Sequence, residues 1–301
     1  MKPLLASSGD VIADRRADYA ETLFSIGDHA AAAELMQDAL GLAPSWVFGW
    51  FRLGEMQEQR GDLDAAEAAW RRVLELEPAD RPGAALRLAL IGRAPAADAA
   101  PSAFVEALFD QYAGSFEASL VGRLDYRVPD FMLEAIRARR ERRFSLALDL
   151  GCGTGLMGER LRPFVERLEG YDLSAGMLRK AAEKGVYDHL VKADLSAFSY
   201  HGPKADLVTV ADVLIYLGAL EGVTATVSGL LQEGGLFAFS LERLAAGGDF
   251  ALQPSRRYAH SESYARRVLA ASGLRVLSLE ERVLRRDRGE PVFGLIVVAE
   301  R

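Results

Sequence analysis

Residues 148–155 read LDLGCGTG: an apolar run ending in Gly151, Gly153 and Gly155, with the chain's one cysteine, Cys152, between the first two. An acid, Asp149, stands inside the run. A strand that turns sharply into a helix while its backbone comes within contact of a ligand needs such glycines. A Cβ would obstruct the approach, and glycine accepts positive φ at little cost. A run this dense, directly after a strand, reads as a ligand loop rather than a plain tight turn.

Outward from the loop, strands and helices alternate. SLALDL (145–150) is a short apolar strand, LMGERLRPF (156–164) a helix and ERLEGYD (166–172) a second strand. SAGMLRKAAEKG (174–185) is a helix with Ser174 as N-cap and Gly185 as its stop. YDHLVKAD (187–194) and ADLVTVAD (205–212) supply strands three and four, LEGVTATVSGLLQEGG (220–235) a helix, and LFAFSLE (236–242) strand five. This order predicts a parallel sheet with helices on both faces, and ligands at the carboxyl ends of its strands.

Two ligand classes compete for the loop. Gly153, Gly155 and Gly158 satisfy the dinucleotide fingerprint, and Asp172 lies at a suitable distance to hold a ribose. Three features turn the reading toward S-adenosylmethionine. Asp149 interrupts a strand that dinucleotide folds usually keep apolar. KADL (192–195) puts an acid after strand three, where an adenine amino group can be held. The chain ends in LRVLSLEERVLRR (274–286), the turn DRGE, and PVFGLIVVAER (291–301), an antiparallel hairpin that closes the sheet.

LDLGCGTG, GYDLS, KADL and ADVLIYL resemble, in order and spacing, the motifs of class I S-adenosylmethionine-dependent methyltransferases. The resemblance spans residues 104–301. It implies a Rossmann-like α/β sheet, mostly parallel with an antiparallel C-terminal hairpin. It also implies roles: Asp149, Gly151 and Gly153 along the methionine moiety; Asp172 on both ribose hydroxyls; Leu173 and Met177 on the adenine; Asp194 on the adenine amino group; the Leu195 N–H on a ring nitrogen; Ala211 under the cofactor. Relatives place an N-terminal helix over the cofactor, with one aromatic and one arginine touching it. In FVEALFDQYAGSFEASLVGRLDYRVPDFM (104–132), Phe104, Leu108, Tyr112 and Phe116 form an aromatic stripe. Tyr112 and Arg127 are the candidates there, since arginine binds a carboxylate bidentately. The stripe equally suits plain core packing.

The acceptor side is less marked. Family members acting on nucleobase amines or glutamine carry Asn/Asp-Pro-Pro-aromatic after strand four. Here Asp212-Val213-Leu214-Ile215-Tyr216 stands there, which disfavours that chemistry. QPSRRYAHSESY (253–264) brings Arg257, Tyr258 and His260 ahead of a helix capped by Ser261. His260 is the candidate general base, because imidazole titrates near neutrality. Tyr216 and Tyr258 are candidates for positioning the acceptor.

Residues 14–80 repeat with a period of 34: Gly27 and Gly61, Ala32 and Ala66, Pro44 and Pro78, Ala20 and Gly54, Met36 and Trp70. The pattern resembles the tetratricopeptide repeat, and the second copy, with Trp50 and Leu53, is the fuller match. PGAALRLALIG (82–92) reads as a single capping helix, and GRAPAADAAPSA (92–103) as a linker. The expected domains are therefore an all-α repeat domain over 1–95 and the methyltransferase domain over 104–301. The repeats suit binding another protein, self-association, or packing on the neighbouring domain.

The whole chain has 301 residues and a formal charge of −7, with 16 acids against 10 bases in residues 1–100 and 27 against 26 beyond. No basic face is evident, so nucleic acid is not an expected partner. One cysteine excludes an internal disulfide and a cysteine-based metal site. MKPLLASSGD is too short for a signal peptide, and nothing approaches a membrane-spanning length, so the expected location is cytoplasmic. A small-molecule acceptor leads the functional readings. Kept beside it are a protein methyltransferase recruited by the repeats, a non-catalytic cofactor-binding interaction protein, and a dinucleotide oxidoreductase.

Overall fold

A computed structural model describes residues 6–114, 116–117, 124–245, 247–287 and 289–301. Ser115 and residues 118–123 of the aromatic stretch, Arg288 of the terminal turn and the first five residues of the N-terminal apolar stretch lie outside the described residues. The chain divides into two units, Met1–Ala97 and Asp98–Arg301.

In the first unit, α1 (Val11–Ser25) pairs with α2 (His29–Leu42), and α3 (Val47–Arg60) with α4 (Leu63–Leu76), followed by the short α5 (Ala84–Leu90). The period of 34 is physical at the turns. Gly27 and Gly61 sit at φ +88° and +87°, and the next residues, Asp28 and Asp62, cap α2 and α4 through Ala31 N and Ala65 N at 3.1 Å. Each such cap is worth about 1 kcal/mol. Gly54 lets the helices of the second pair touch: a Cβ there would meet the Trp70 indole at 2.3 Å. Trp70 is fully buried, and its Nε1 donates to Phe51 O at 3.1 Å.

The second unit opens with α6 (Ser102–Tyr112) and α7 (Val128–Arg137). Then come β1 (Phe144–Leu150), α8 (Leu156–Leu161), β2 (Val165–Asp172), α9 (Ala175–Lys184), β3 (His189–Lys192), β4 (Ala205–Val210) and α10 (Glu221–Leu230). The chain continues with β5 (Leu231–Arg243), β6 (Phe250–Leu252), β7 (Tyr258–His260), α11 (Glu262–Ala271), β8 (Arg275–Asp287) and β9 (Glu290–Glu300). Strands β3, β2, β1, β4 and β5 lie side by side and parallel; β9 pairs antiparallel with β5, and β8 with β9. Leu148, Val208, Phe237 and Val297 face one apolar core, with α10 and α11. Ala147, Leu207, Ala238 and Val298 face the other, with α7 and α8. That alternation is the mark of a sheet covered on both faces.

Three local expectations change. The helix expected over 220–235 ends at Leu230, and β5 begins at Leu231, running through Gly234 at φ +71° with a register shift against β4. Residues 253–264, expected as a loop ahead of a helix, contain β7, paired with β6 and with β5. Strands of three residues show no legible period. Third, residues 98–100 of the expected linker belong to the second unit: Asp98 O accepts from Gly218 N and Ala219 N, and Ala100 N donates to Tyr216 O at 2.8 Å.

Candidate active site

The glycine loop leaves β1 and is pinned to β2, where Tyr171 O accepts from Gly151 N at 2.7 Å and Cys152 N at 2.9 Å. At Gly151, φ is +73°, and a Cβ would lie 2.2 Å from Val213 Cγ2. At Gly153, φ is +54° and nothing among the described residues lies within 4 Å of the Cβ direction, so they leave its backbone bare. Over it opens a cavity of about 380 Å³ at the carboxyl ends of the parallel strands.

Asp172 ends β2 and lines this cavity. Its Oδ2 accepts from Gly153 N and its Oδ1 from Ser174 N, each at 2.8 Å. Burial raises its carboxyl above the ordinary range, against the pull of those bonds. Asp194 follows β3; its Oδ1 accepts from Ser196 N at 2.8 Å and Ser196 Oγ at 2.7 Å. Burial opposes its charge, yet the bonds from Ser102 and Ser196 hold its carboxyl below the usual range. Leu173, Leu195, Ala211 and Tyr216 line the same cavity.

The remaining expected residues lie elsewhere. Asp149 is fully buried beneath the loop, where Tyr187 Oη donates to its Oδ2 at 2.6 Å and Thr209 Oγ1 to its Oδ1 at 2.8 Å. Burial pushes its carboxyl up to about 6. Met177 is fully buried in α9. Arg127 is exposed with its guanidinium over the Phe131 ring at 4.9 Å, and Tyr112, at the end of α6, is not among the lining residues. His260 does not reach the cavity. It is fully buried, its Nε2–H donates to Gly218 O at 3.0 Å, Nδ1 has no hydrogen-bond partner among the described residues, and burial holds its pKa down to about 4. Tyr258 is fully buried, with its hydroxyl pushed up to about 12 by burial and the charge of Asp98. Their strand, β7, takes the β5 edge beyond the last β4 pairing, so that both residues brace the loop 212–218 from behind.

Four residues were not picked out from the sequence. Phe109 lines the cavity one helical face round from the Tyr112 stripe, edge-on to Tyr216 at 5.6 Å. Asp110 ties α6 to the start of α9: its Oδ1 accepts from Ser174 Oγ at 2.5 Å and Gly176 N at 2.9 Å. Asp212 lines the cavity at φ +59°, a strained conformation held by its N–H on Ser240 Oγ at 2.8 Å and its carboxylate on Arg285. Arg257, quoted with His260 but passed over for it, lines the cavity as well. The spacing of Phe109 to Val105 and Ser102 offered a signal; Asp212 was marked only as the start of the stretch after strand four, and nothing in the sequence marked Asp110.

Glycine loop, acids after the strands and strand order make the second unit a Rossmann-like α/β domain with its cavity at the carboxyl ends of the strands. The family model described as a methyltransferase domain matches residues 148–239, and the tetratricopeptide-repeat model matches residues 47–80. The chain thus joins the S-adenosylmethionine-dependent methyltransferase fold to tetratricopeptide repeats. Malonyl-[acyl-carrier protein] O-methyltransferase of Enterobacter lignolyticus (strain SCF1) is 30% identical over 151 residues, which are 50% of this chain and 58% of that protein. Human methyltransferase-like protein 27 is 31% identical over 118 residues, 38% of this chain and 45% of that protein. The chain thus spans about half the length of the curated relatives it matches. Among solved structures, a chain of the complex between the Haloferax volcanii Trm112 methyltransferase activator and a methyltransferase aligns with a TM-score of 0.50 at 16% identity, covering 64% of this chain and 96% of that one. At that identity the likeness bears on the fold alone.

Proposed function

We propose that the chain is an enzyme that transfers a methyl group from S-adenosylmethionine to a small-molecule acceptor and releases S-adenosylhomocysteine. The carrying observation is the order of groups along one cavity: Asp194 after β3, Asp172 at the end of β2, bare Gly153 after β1, and Ala211 and Asp212 after β4. This suits an extended nucleoside ligand. Each Asp172 oxygen takes one backbone N–H and keeps a second lone pair for a ribose hydroxyl. Asp194 and the Leu195 N–H would hold the adenine edge, and Leu173 its face. Gly151 and Gly153 would flank the amino-acid end. When bound, the cofactor supplies an electrophilic methyl group on a sulfonium. The chain's own contribution is positioning: Phe109 and Phe116 exclude water, and Tyr216 orients the acceptor. The remote His260 and Tyr258 hold the loop that carries Tyr216. The relatives' names as methyltransferases support the reading.

Calorimetry tests it. S-adenosylhomocysteine is expected to bind, and Asp172→Ala to weaken it by about 2–3 kcal/mol through loss of charged-acceptor bonds. Binding of NAD without S-adenosylhomocysteine overturns the reading. A protein partner or self-association through the repeats is favoured by one observation: Ile12, Tyr19 and Ile26, seven apart along α1 and its end, are 58%, 61% and 73% exposed. Sedimentation of the full chain over a concentration range checks the self-association arm.

A further inference from the structure

α6 gives the cavity one of its walls: Ser102, Val105 and Phe109, three and four residues apart, line it from one helical face. Yet of the eleven residues of α6 only Phe104 is buried. A helix that short is marginal by itself, and in proteins packing normally holds it. Here the packing is thin, and polar side chains hold it instead. Glu106 and Asp110, one turn apart, stand on the flank next to the cavity face. Glu106 Oε1 takes Lys192 Nζ at 2.6 Å, with the lysine about half exposed, a pair that water and salt weaken. Asp110 makes the firmer tie. Its Oδ1 accepts from Ser174 Oγ at 2.5 Å and from Gly176 N at 2.9 Å, at the start of α9, where free backbone N–H groups favour an anion.

Ser174 is where this tie meets the proposed ribose acid. Its N–H donates to Asp172 Oδ1 at 2.8 Å, and its hydroxyl accepts from Met177 N at 3.0 Å while giving its one proton to Asp110. The α6 wall and Asp172 therefore hang on the same turn. Gly176 permits the close approach: a Cβ there would lie 3.0 Å from Asp110 Oδ1 and 3.1 Å from Ala113 Cβ. Burial opposes the charge of Asp110. The bonds from Ser174 and Gly176, with the charges of Lys192 and Arg179, nevertheless hold its carboxyl below the usual range, so it is ionised at neutral pH.

We infer that Asp110 is a positioning residue for the cofactor: by bonding Ser174 and Gly176 it keeps Val105 and Phe109 against the nucleoside, and so sets how long the cofactor stays bound. This rests on the proposed cofactor reading, which puts the nucleoside between α6 and Asp172. Asp110 is not among the residues that line the cavity, so it acts through the helix and not by touching the ligand. Val105 and Phe109 are half-buried, and a ligand in the cavity covers them further. Docked helix and bound ligand thus stabilise each other. Without Asp110 the wall leaves α9 more often, and the ligand escapes while it is away.

The test follows release of radiolabelled S-adenosylhomocysteine from the full chain into an excess of unlabelled ligand, with the association rate measured beside it. Asp110→Ala is expected to raise the release rate by about tenfold or more, the loss of hydrogen bonds to a charged acceptor. Asp110→Asn keeps an acceptor without the charge and is expected to fall between. Gly176→Ala leaves every bonding group in place and pushes α6 off from the α9 side; it is expected to speed release by about threefold or more through overpacking. It also serves if the Asp110 variants do not fold. The association rate is expected to stay within about threefold throughout, because a displaced wall leaves the entrance open. A general loss of folding would instead lower the amount bound and leave the release rate of the folded fraction alone. Release within twofold of wild type in both Asp110→Ala and Gly176→Ala overturns the inference, as does affinity lost through association alone. A wild-type chain that binds no S-adenosylhomocysteine removes the underlying reading instead, and is seen before any variant is compared.

Discussion

Gly151 and Gly153 both hold positive φ, yet they do so for different reasons, and the difference is measurable. At Gly151 the space toward Cβ is filled by Val213, 2.2 Å away, so glycine is required by packing. At Gly153 no described residue fills that space, so only its positive φ and the room it leaves at the cavity favour glycine. Gly151→Ala is expected to lose about 2–4 kcal/mol, the left-handed penalty plus overpacking, read by urea unfolding. Gly153→Ala carries only the backbone penalty of about 1–2 kcal/mol. Its S-adenosylhomocysteine affinity is expected to fall at least tenfold, because the new methyl occupies the ligand's approach. Two variants equally unstable and equally able to bind would make the loop a plain turn. Cys152, between them, is 5% exposed, and burial with the charges of Asp149 and Asp172 raises its thiol well above the ordinary range. The chain's one cysteine is therefore a packed thiol, not a nucleophile.

The elements easiest to read were those with a long period or a marked end. β1, β2 and α9 carry an apolar run or a capped amphipathic stretch, and the Ser174 cap and Gly185 stop stand as expected: Met177 N donates to Ser174 Oγ at 3.0 Å and Gly185 has φ +63°. The places of Asp172 and Asp194 were legible because the first ends β2 and the second follows β3 by two residues. What stayed hidden was set by tertiary placement. The β6–β7 hairpin is too short for periodicity, and its edge of β5 exists only because β4 stops at Val210. His260 looked like a loop histidine for the same reason, whereas pairing in β7 buries it. Residues 98–100, alanine-rich and unpatterned, acquire a role only by meeting the loop 216–219. That role is testable. A chain beginning at Asp98 is expected to fold and keep full-length affinity for S-adenosylhomocysteine. A chain beginning at Ser102 lacks the carbonyl that Gly218 N and Ala219 N reach and the N–H that Tyr216 O accepts. With about 1 kcal/mol for each of the three bonds lost, it is expected to melt roughly 6–12 °C lower and to bind more weakly. Identical melting of the two chains would reduce the segment to a passive tether.

Two buried groups give the stability of the chain a pH dependence with opposite signs. The Asp149 carboxyl is pushed up to about 6 by burial, against the bonds from Tyr187 and Thr209, while an unfolded aspartate titrates near about 3.9. Between these values the folded chain keeps a proton that the unfolded chain has released, so the contribution of Asp149 falls as pH rises from about 4 to about 6. His260 is held down to about 4 by burial, against about 6.5 when unfolded. In that window the unfolded chain binds the proton and the folded chain does not, so the contribution of His260 rises with pH. Each shift corresponds to on the order of 3 kcal/mol, and the two nearly cancel in the wild type. The variants uncouple them. Relative to wild type, Asp149→Asn is expected to gain stability between pH 4 and pH 6.5, since it lacks the falling contribution. His260→Gln is expected to show the reverse, gaining at pH 4 and losing that gain by pH 7. Urea unfolding at unit pH steps reads both, and parallel curves for all three chains would place these side chains in far wetter surroundings than the fold gives them. The same burial keeps His260 neutral above about pH 5, so no ionisation of this residue is expected in a turnover profile between pH 5 and 8. A turnover curve rising through about 6.5 in the wild type and flat in His260→Gln would return the histidine to the reaction, and would require the β6–β7 hairpin to open during it.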